Sequence, residues 1–238
     1  MRRIQGVGFD FDHTLGLDRG LEAEGFTRLA AELGTPISFA REPWTSTIAG
    51  LLARFRGGEL SSTEMVAQFC AALERRADPC DRAPRWREIC CGLVDAHVIA
   101  VPGACEALAE LRARGVPIAI LTNGWSPLQE RKIARALGAF PEPVLVSETL
   151  GLAKPAAGAF VKLADALGVA RERVAYVGDN PLIDAAAAQA AGLIGVWFDG
   201  EGIAAPAGAP PADYVIRRLA ELATLVPGRA AATENLIS

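Results

Sequence analysis

Hydrophobic residues along the chain follow two rhythms. Residues 4–10 form a short apolar run that ends in carboxylates, the pattern of a buried strand. From Asp18 to about Val98 the apolar positions recur three and four apart, which predicts helices and no strand. Leu21, Phe26, Leu29, Ala30 and Leu33 make the first stripe, stopped by Gly34 and Pro36. Further stripes cover 47–55, 63–73 and 86–94, separated by Gly57-Gly58, Pro79 and Pro84. After residues 101–103 helix and strand alternate. Helices are predicted over 104–114, 127–137, 155–167 and 182–191, and strands over 116–121, 144–146, 174–177 and 193–198. A short strand at 214–216 and a helix at 219–225 close the pattern.

Apolar strands spaced by helices indicate a parallel sheet buried on both faces. The fold class is therefore α/β, a doubly wound parallel sheet with an all-helical unit inserted after the first strand. Residues 1–15 and 101–228 are assigned to the α/β core and 16–100 to the insert. Residues 200–212, rich in Gly, Pro and Ala, are read as a loop, and 229–238 as a loose tail.

Composition narrows the class. The 238 residues suit one or two domains, and alanine, at 45 positions, inflates the 51% hydrophobic content. Charged residues at 22% are near the ordinary value of about 25%, which excludes disorder as the main state. With 24 basic against 28 acidic residues and no basic block, neither nucleic acid nor an anionic membrane surface is expected as a partner. No stretch reaches the ~18 consecutive apolar residues of a membrane span. The chain starts directly in a strand-like segment, read as lacking a signal peptide. Cys70, Cys80, Cys90, Cys91 and Cys105 are odd in number and lack CxxC spacing. They are read as reduced, buried thiols of a cytoplasmic protein rather than a disulfide framework or a zinc site.

Four polar segments stand at strand ends or a helix start, where an open parallel sheet binds ligands. They are Asp10-Phe11-Asp12-His13-Thr14, Thr122-Asn123-Gly124, Lys154-Pro155, and Gly178-Asp179-Asn180-Pro181-Leu182-Ile183-Asp184. Converging carboxylates repel one another unless a cation lies between them. Asp10, Asp12, Asp179 and Asp184 offer hard oxygen ligands, which favour Mg²⁺. Lys154 and Thr122 would give a point charge and a hydroxyl to phosphoryl oxygens. Lysine is scarce, since only Lys132, Lys154 and Lys162 occur among the 24 basic residues.

In this order, the four segments resemble the motifs of the haloacid dehalogenase superfamily, over residues 4–14 and about 101–225. The helical insert resembles its C1-type cap in topology alone. The resemblance implies that Asp10 is a nucleophile and Asp12 a general acid/base. Thr122, with Asn123 beside it, and Lys154 would bind phosphate. Mg²⁺ would be held by Asp10, Asp179, Asp184 and the main-chain carbonyl of Asp12. The implied activity is hydrolysis of a small phosphorylated metabolite through an aspartyl-phosphate, by a monomer or homodimer whose cap hinges near Gly16 and near 101–103. The acid at Asp12 separates it from the superfamily's dehalogenases, and Thr14 disfavours the alternative of a sugar phosphomutase. A non-catalytic phosphate-binding protein is the other alternative, disfavoured by the four intact acids. His13 departs from the usual glycine.

Neighbouring residues are read more plainly. His13 is placed beside the pocket rather than on the substrate, and Trp125 in core or hinge packing. Arg54 and Arg56 are read as a solvated helix end, and His97 as complementing a helix dipole. Asn180 with Pro181 reads as a helix N-cap, and the alanines at 185–188 as tight packing on the sheet.

Overall fold

A computed structural model describes residues 3–73, 82–200, 202 and 205–226. The elements run β1 Gly6–Phe9, β2 Gly16–Asp18, α1 Leu21–Glu32, α2 Trp44–Arg56, α3 Ser62–Ala72, α4 Arg82–His97 and β3 Val98–Ala100. They continue with α5 Ala104–Ala113, β4 Ile118–Thr122, α6 Leu128–Leu137, β5 Val144–Val146, α7 Ser147–Leu150 and α8 Ala157–Leu167. β6 Val174–Gly178, a π-helical turn Pro181–Ala186, α9 Ala187–Ala190, β7 Ile194–Phe198, β8 Tyr214–Ile216 and α10 Leu222–Leu225 follow, with short 3-10 turns at Arg171–Arg173 and Leu219–Glu221.

Six strands form one parallel sheet in the order β5-β4-β1-β6-β7-β8. The chain leaves central β1 for β4 on one side and later reaches β6 on the other, so β1 is a topological switch point. Every residue of β1, β4 and β6 is buried. Alternation divides them between the faces. Val7, Phe9, Ile118, Ile120, Ala175 and Val177 enter the cluster that continues into the helical insert. Ala119, Leu121, Val174 and Tyr176 pack on the opposite face against Phe160 and Leu163 of α8. At Gly8 a Cβ would stand 2.3 Å from a Leu163 methyl, so the close approach of α8 requires glycine.

The insert consists of α1 to α4 around Phe26, Phe69 and Trp86. A two-stranded antiparallel ribbon, β2 with β3, joins it to the core. Among the described residues no strand lies between Asp18 and Val98, as expected; the ribbon strands at 16–18 and 98–100, which flank that stretch, are not foreseen by the pattern. Each ribbon strand has three residues, too short for a period of two to register. The helix expected over 182–191 begins instead as the π-helical turn. The tail and Cys80 lie outside the described residues. Cys70 and Cys90 are buried as expected, but Cys91 is half-buried and Cys105 exposed. Among the described residues no helix is long and apolar enough to cross a membrane.

Candidate active site

The in-register ends of β4, β1 and β6 bring three of the polar segments together. Phe9 pairs with both Ile120 and Val177, and the Asp10 N–H donates to the Val177 carbonyl at 2.8 Å, continuing the ladder by one residue. Asp10, Thr122 and Asp179 therefore emerge side by side. Lys154, in the turn before α8, reaches in from beneath: its Nζ lies 2.8 Å from Oδ1 of Asp10 and 2.8 Å from Oδ1 of Asp184.

Asp184 gets there through the π-helical turn. The Asn180 side chain caps that turn by accepting from the Leu182 and Ile183 N–H groups, and Pro181 takes the first helical position. The Asn180 carbonyl accepts from both Asp184 and Ala185, the wider winding of a π turn. Asp184 Oδ2 accepts from the Asn180 N–H at 3.0 Å. Its carboxylate lies over Gly178, where a Cβ would meet it at 2.3 Å. Ala185, Ala187 and Ala188 then pack the helix on the sheet as expected.

Oxygens of Asp10, Asp179 and Asp184 all lie within 4.8 Å of one another. Among the described residues, Lys154 is the cation in contact with Asp10 and Asp184. Burial works against its charge, but Asp10 and Asp184 outweigh it and hold the ammonium well above the ordinary lysine range. Burial, reinforced by Asp184 and Asp179 against the opposing pull of Lys154, pushes the Asp10 carboxyl up to about 7. Burial and Asp184 push Asp179 to about 6. A cluster of hard oxygens carrying excess negative charge fits a divalent cation such as Mg²⁺. The side chain of Asp12 is outside this group.

Asp12 turns instead to residues not singled out by the sequence motifs. Lys132 Nζ is 2.5 Å from its Oδ1 and 2.8 Å from Oδ2 of Asp18. Gln129 Nε2 is 2.9 Å from Asp12 Oδ2, 2.8 Å from Thr122 Oγ1 and 2.9 Å from the Asn123 carbonyl. Burial alone would raise the Asp12 carboxyl, but Lys132, Arg56 and Gln129 hold it below its ordinary value. Gln129 and Lys132 are 2% and 1% exposed, so α6 turns a polar face inward. Their three-residue spacing on one helix is the available sequence signal.

Asn123 clamps the third segment to the second. Its Nδ2 donates to the Lys154 carbonyl at 2.8 Å and its Oδ1 accepts from the Lys154 N–H at 2.9 Å. Nδ2 also approaches the Arg56 carbonyl at 3.0 Å, linking the site to α2. His13 is exposed and has φ of +61°, a conformation that favours glycine. It lines a cavity of about 380 Å³ between α1 and α2.

Trp125 is buried against Trp86, with its indole N–H 3.3 Å from Glu22, so it packs between core and insert as expected. Arg87 of α4 lies over the Trp125 ring and pairs with Glu148 of α7 at 2.9 Å. Arg54 is at an exposed helix end, but Arg56 is not simply solvated. Its Nη2 contacts the buried Glu22 carboxylate at 2.6 Å, and its side chain lines the cavity. His97, the last residue of α4, has Nδ1 3.2 Å from the Arg19 carbonyl.

A buried carboxylate at a strand end, a buried lysine and two further acids thus converge at one edge of the parallel sheet. The sequence profile of the haloacid dehalogenase-like hydrolases matches residues 4–192. A ribulose-1,5-bisphosphate 5-phosphatase of Halopiger xanaduensis is 32% identical over 84% of this chain and 74% of its own. A phosphoserine phosphatase of Thermus thermophilus is 43% identical over 41% of this chain, an alignment spanning only 40% of that protein. The HAD-hydrolase YfnB of Bacillus subtilis, solved bound to magnesium, has a TM-score of 0.73 at 21% identity, covering 94% of this chain and 99% of that one. The chain belongs to the haloacid dehalogenase-like hydrolase family.

Proposed function

We propose that the protein is a Mg²⁺-dependent phosphatase of a small phosphomonoester, working through a phosphorylated Asp10. The observation that carries this reading is the convergence of Asp10 with Lys154 on one side and Asp179 and Asp184 on the other. Phosphatase names among the relatives support the reaction class.

Asp10, Asp179 and Asp184, with the Asp12 main-chain carbonyl, would hold the metal. Bound there, Mg²⁺ would screen the phosphate from Asp10 and stabilise charge on the transferring oxygens. Lys154 opposes the effect of burial on Asp10, orients its carboxylate, and adds positive charge against the phosphoryl group. Thr122 presents its hydroxyl at the end of β4, and Asn123 fixes the Lys154 main chain. An Asp10 oxygen attacks phosphorus and the ester oxygen leaves, so the phosphoryl group passes to the carboxylate. The incoming phosphate raises the proton affinity of Asp12, which then protonates the leaving oxygen. Restored as a carboxylate beside Lys132 and Gln129, Asp12 takes a proton from the water that hydrolyses the acyl phosphate.

In the same reading, residues 16–100 act as a cap over a core of 1–15 and 101–228. The β2–β3 ribbon would carry its hinge, near Gly16 and 101–103, and closure would exclude water from the reaction. The buried free thiols Cys70 and Cys90 suit the cytoplasm.

Phosphate release from an aryl phosphate, with Mg²⁺ and with EDTA, tests the proposal. Turnover that needs the metal and vanishes in Asp10→Asn is expected. Metal-independent turnover, or full activity in Asp10→Asn, would overturn it.

A further inference from the structure

We propose that the cavity beside Asp12 is a leaving-group subsite that accepts an uncharged, mainly apolar organic group and rejects one bearing a second anion. This rests on the phosphatase reading and names its substrate class. The cavity, about 380 Å³, lies near the small end of the ~300–1,000 Å³ usual for small-molecule sites. Asp12 and His13, which follow the proposed nucleophile by two and three residues, line one part of it. The far wall is apolar, made by Ala23 of α1, Phe39 of the loop between α1 and α2, and Ile48, Ala49 and Leu52 of α2. Ile48 and Leu52 are buried, while Phe39 is 36% exposed and stands at the rim.

Charge decides what such a compartment takes. Arg56 is the guanidinium of this wall, and it is in contact with the buried carboxylate of Glu22 at 2.6 Å. Asp12 and Asp18 also line the cavity, and the cation they share, Lys132, lies behind them at 2.5 and 2.8 Å. Three carboxylates thus meet the guanidinium of Arg56 and the ammonium of Lys132, each already in contact with an acid, beside the imidazole of His13. A carboxylate or second phosphate entering here gives up hydration, and the Arg56 and Lys132 charges it meets are already in contact with Glu22, Asp12 and Asp18. It also approaches three acids. A short alkyl or hydroxyalkyl group meets neither cost and gains from covering the apolar wall.

Matched probes separate binding from turnover. n-Butylphosphonate and 4-phosphonobutanoate have the same chain length and differ in a terminal carboxylate; n-butyl phosphate and 4-phosphooxybutanoate are their hydrolysable counterparts. Calorimetry on the Mg²⁺-loaded protein is expected to show butylphosphonate binding at least about tenfold tighter, with kcat/KM of the esters in the same order. Ala49→Arg, at an exposed position of α2, places a free cation on the wall. It should bring the two phosphonates to within about twofold, while Ala49→Leu does not. Equal or tighter binding of 4-phosphonobutanoate to the unaltered protein, or binding of neither probe, overturns the subsite. Selective binding of butylphosphonate without hydrolysis of either ester keeps the subsite and overturns the phosphatase reading. Hydrolysis of both esters without discrimination does the reverse.

Discussion

The ammonium of Lys132 on α6 is 2.5 Å from the Asp12 carboxylate and is almost fully buried, so the loop after β1 is tied to a helix from a distant part of the chain. The same ammonium touches Asp18 at the start of the insert. Lys132→Met removes the cation and leaves two acids facing each other. Breaking a buried pair of this kind costs about 3–5 kcal/mol, which urea unfolding will show as a lower midpoint with an unchanged m-value. Asp12 also loses the main influence holding its carboxyl down. The acid limb of the kcat profile therefore moves to higher pH.

Gln129 tests the neutral half of the same arrangement. Its amide nitrogen serves Asp12, Thr122 and the Asn123 carbonyl together. Gln129→Leu keeps the approximate shape and removes all three contacts. A hydrogen bond to a charged group is worth about 1.5–3 kcal/mol, so kcat is expected to fall about 10- to 100-fold. Mg²⁺ affinity, measured by calorimetry, should stay unchanged because Gln129 touches none of the three clustered acids.

The acid cluster gives a pH dependence with a definite sign. Asp10 and Asp179 are raised to about 7 and about 6, above their values in an unfolded chain. The metal-free folded state therefore keeps protons that the unfolded chain has released. The stabilisation from these two groups is fully present below about pH 4 and is lost as pH rises through 6 to 7. A divalent cation must displace those protons. The increase in Tm on adding Mg²⁺ should thus be small at about pH 5 and near its maximum by about pH 8. An equal increase at both values would contradict the assignment of these acids to the metal.

Gly178 is required by contact rather than by backbone angle. A Cβ there would stand 2.3 Å from the Asp184 carboxylate. Gly178→Ala forces Asp184 aside, and Mg²⁺ affinity is expected to drop about 10- to 100-fold. Gly92→Ala, where a Cβ meets open space, is the control and should leave affinity unaltered.

What the sequence made legible follows from how each signal arises. Asp10, Thr122 and Asp179 end or directly follow apolar runs long enough to read as strands, and strand ends in a parallel sheet share one edge. Lys154 stood out as one of three lysines, and Asp184 by its place in the motif. Gln129 and Lys132 were hidden because a polar residue on a helix reads as its solvent face. Their partner, Asp12, is more than a hundred residues away, beyond the reach of local periodicity. Glu22 and Arg56 were hidden for the same reason, since each belongs to a helix whose polar positions look solvated until α1 and α2 pack together. The β2–β3 ribbon escaped notice because three-residue strands depend on each other, not on their own pattern. The π-helical turn is set by the double use of the Asn180 carbonyl, which residue spacing does not encode.

The central claim concerns one covalent bond, from phosphorus to a carboxylate oxygen of Asp10. Acid quenching during turnover of n-butyl phosphate, followed by proteolysis and mass spectrometry, looks for it directly. A phosphoryl group on the peptide containing Asp10, absent in Asp10→Asn and depleted once substrate is exhausted, is the predicted result. Steady phosphate release with no acyl phosphate at Asp10, or with the label on another residue, would contradict the account.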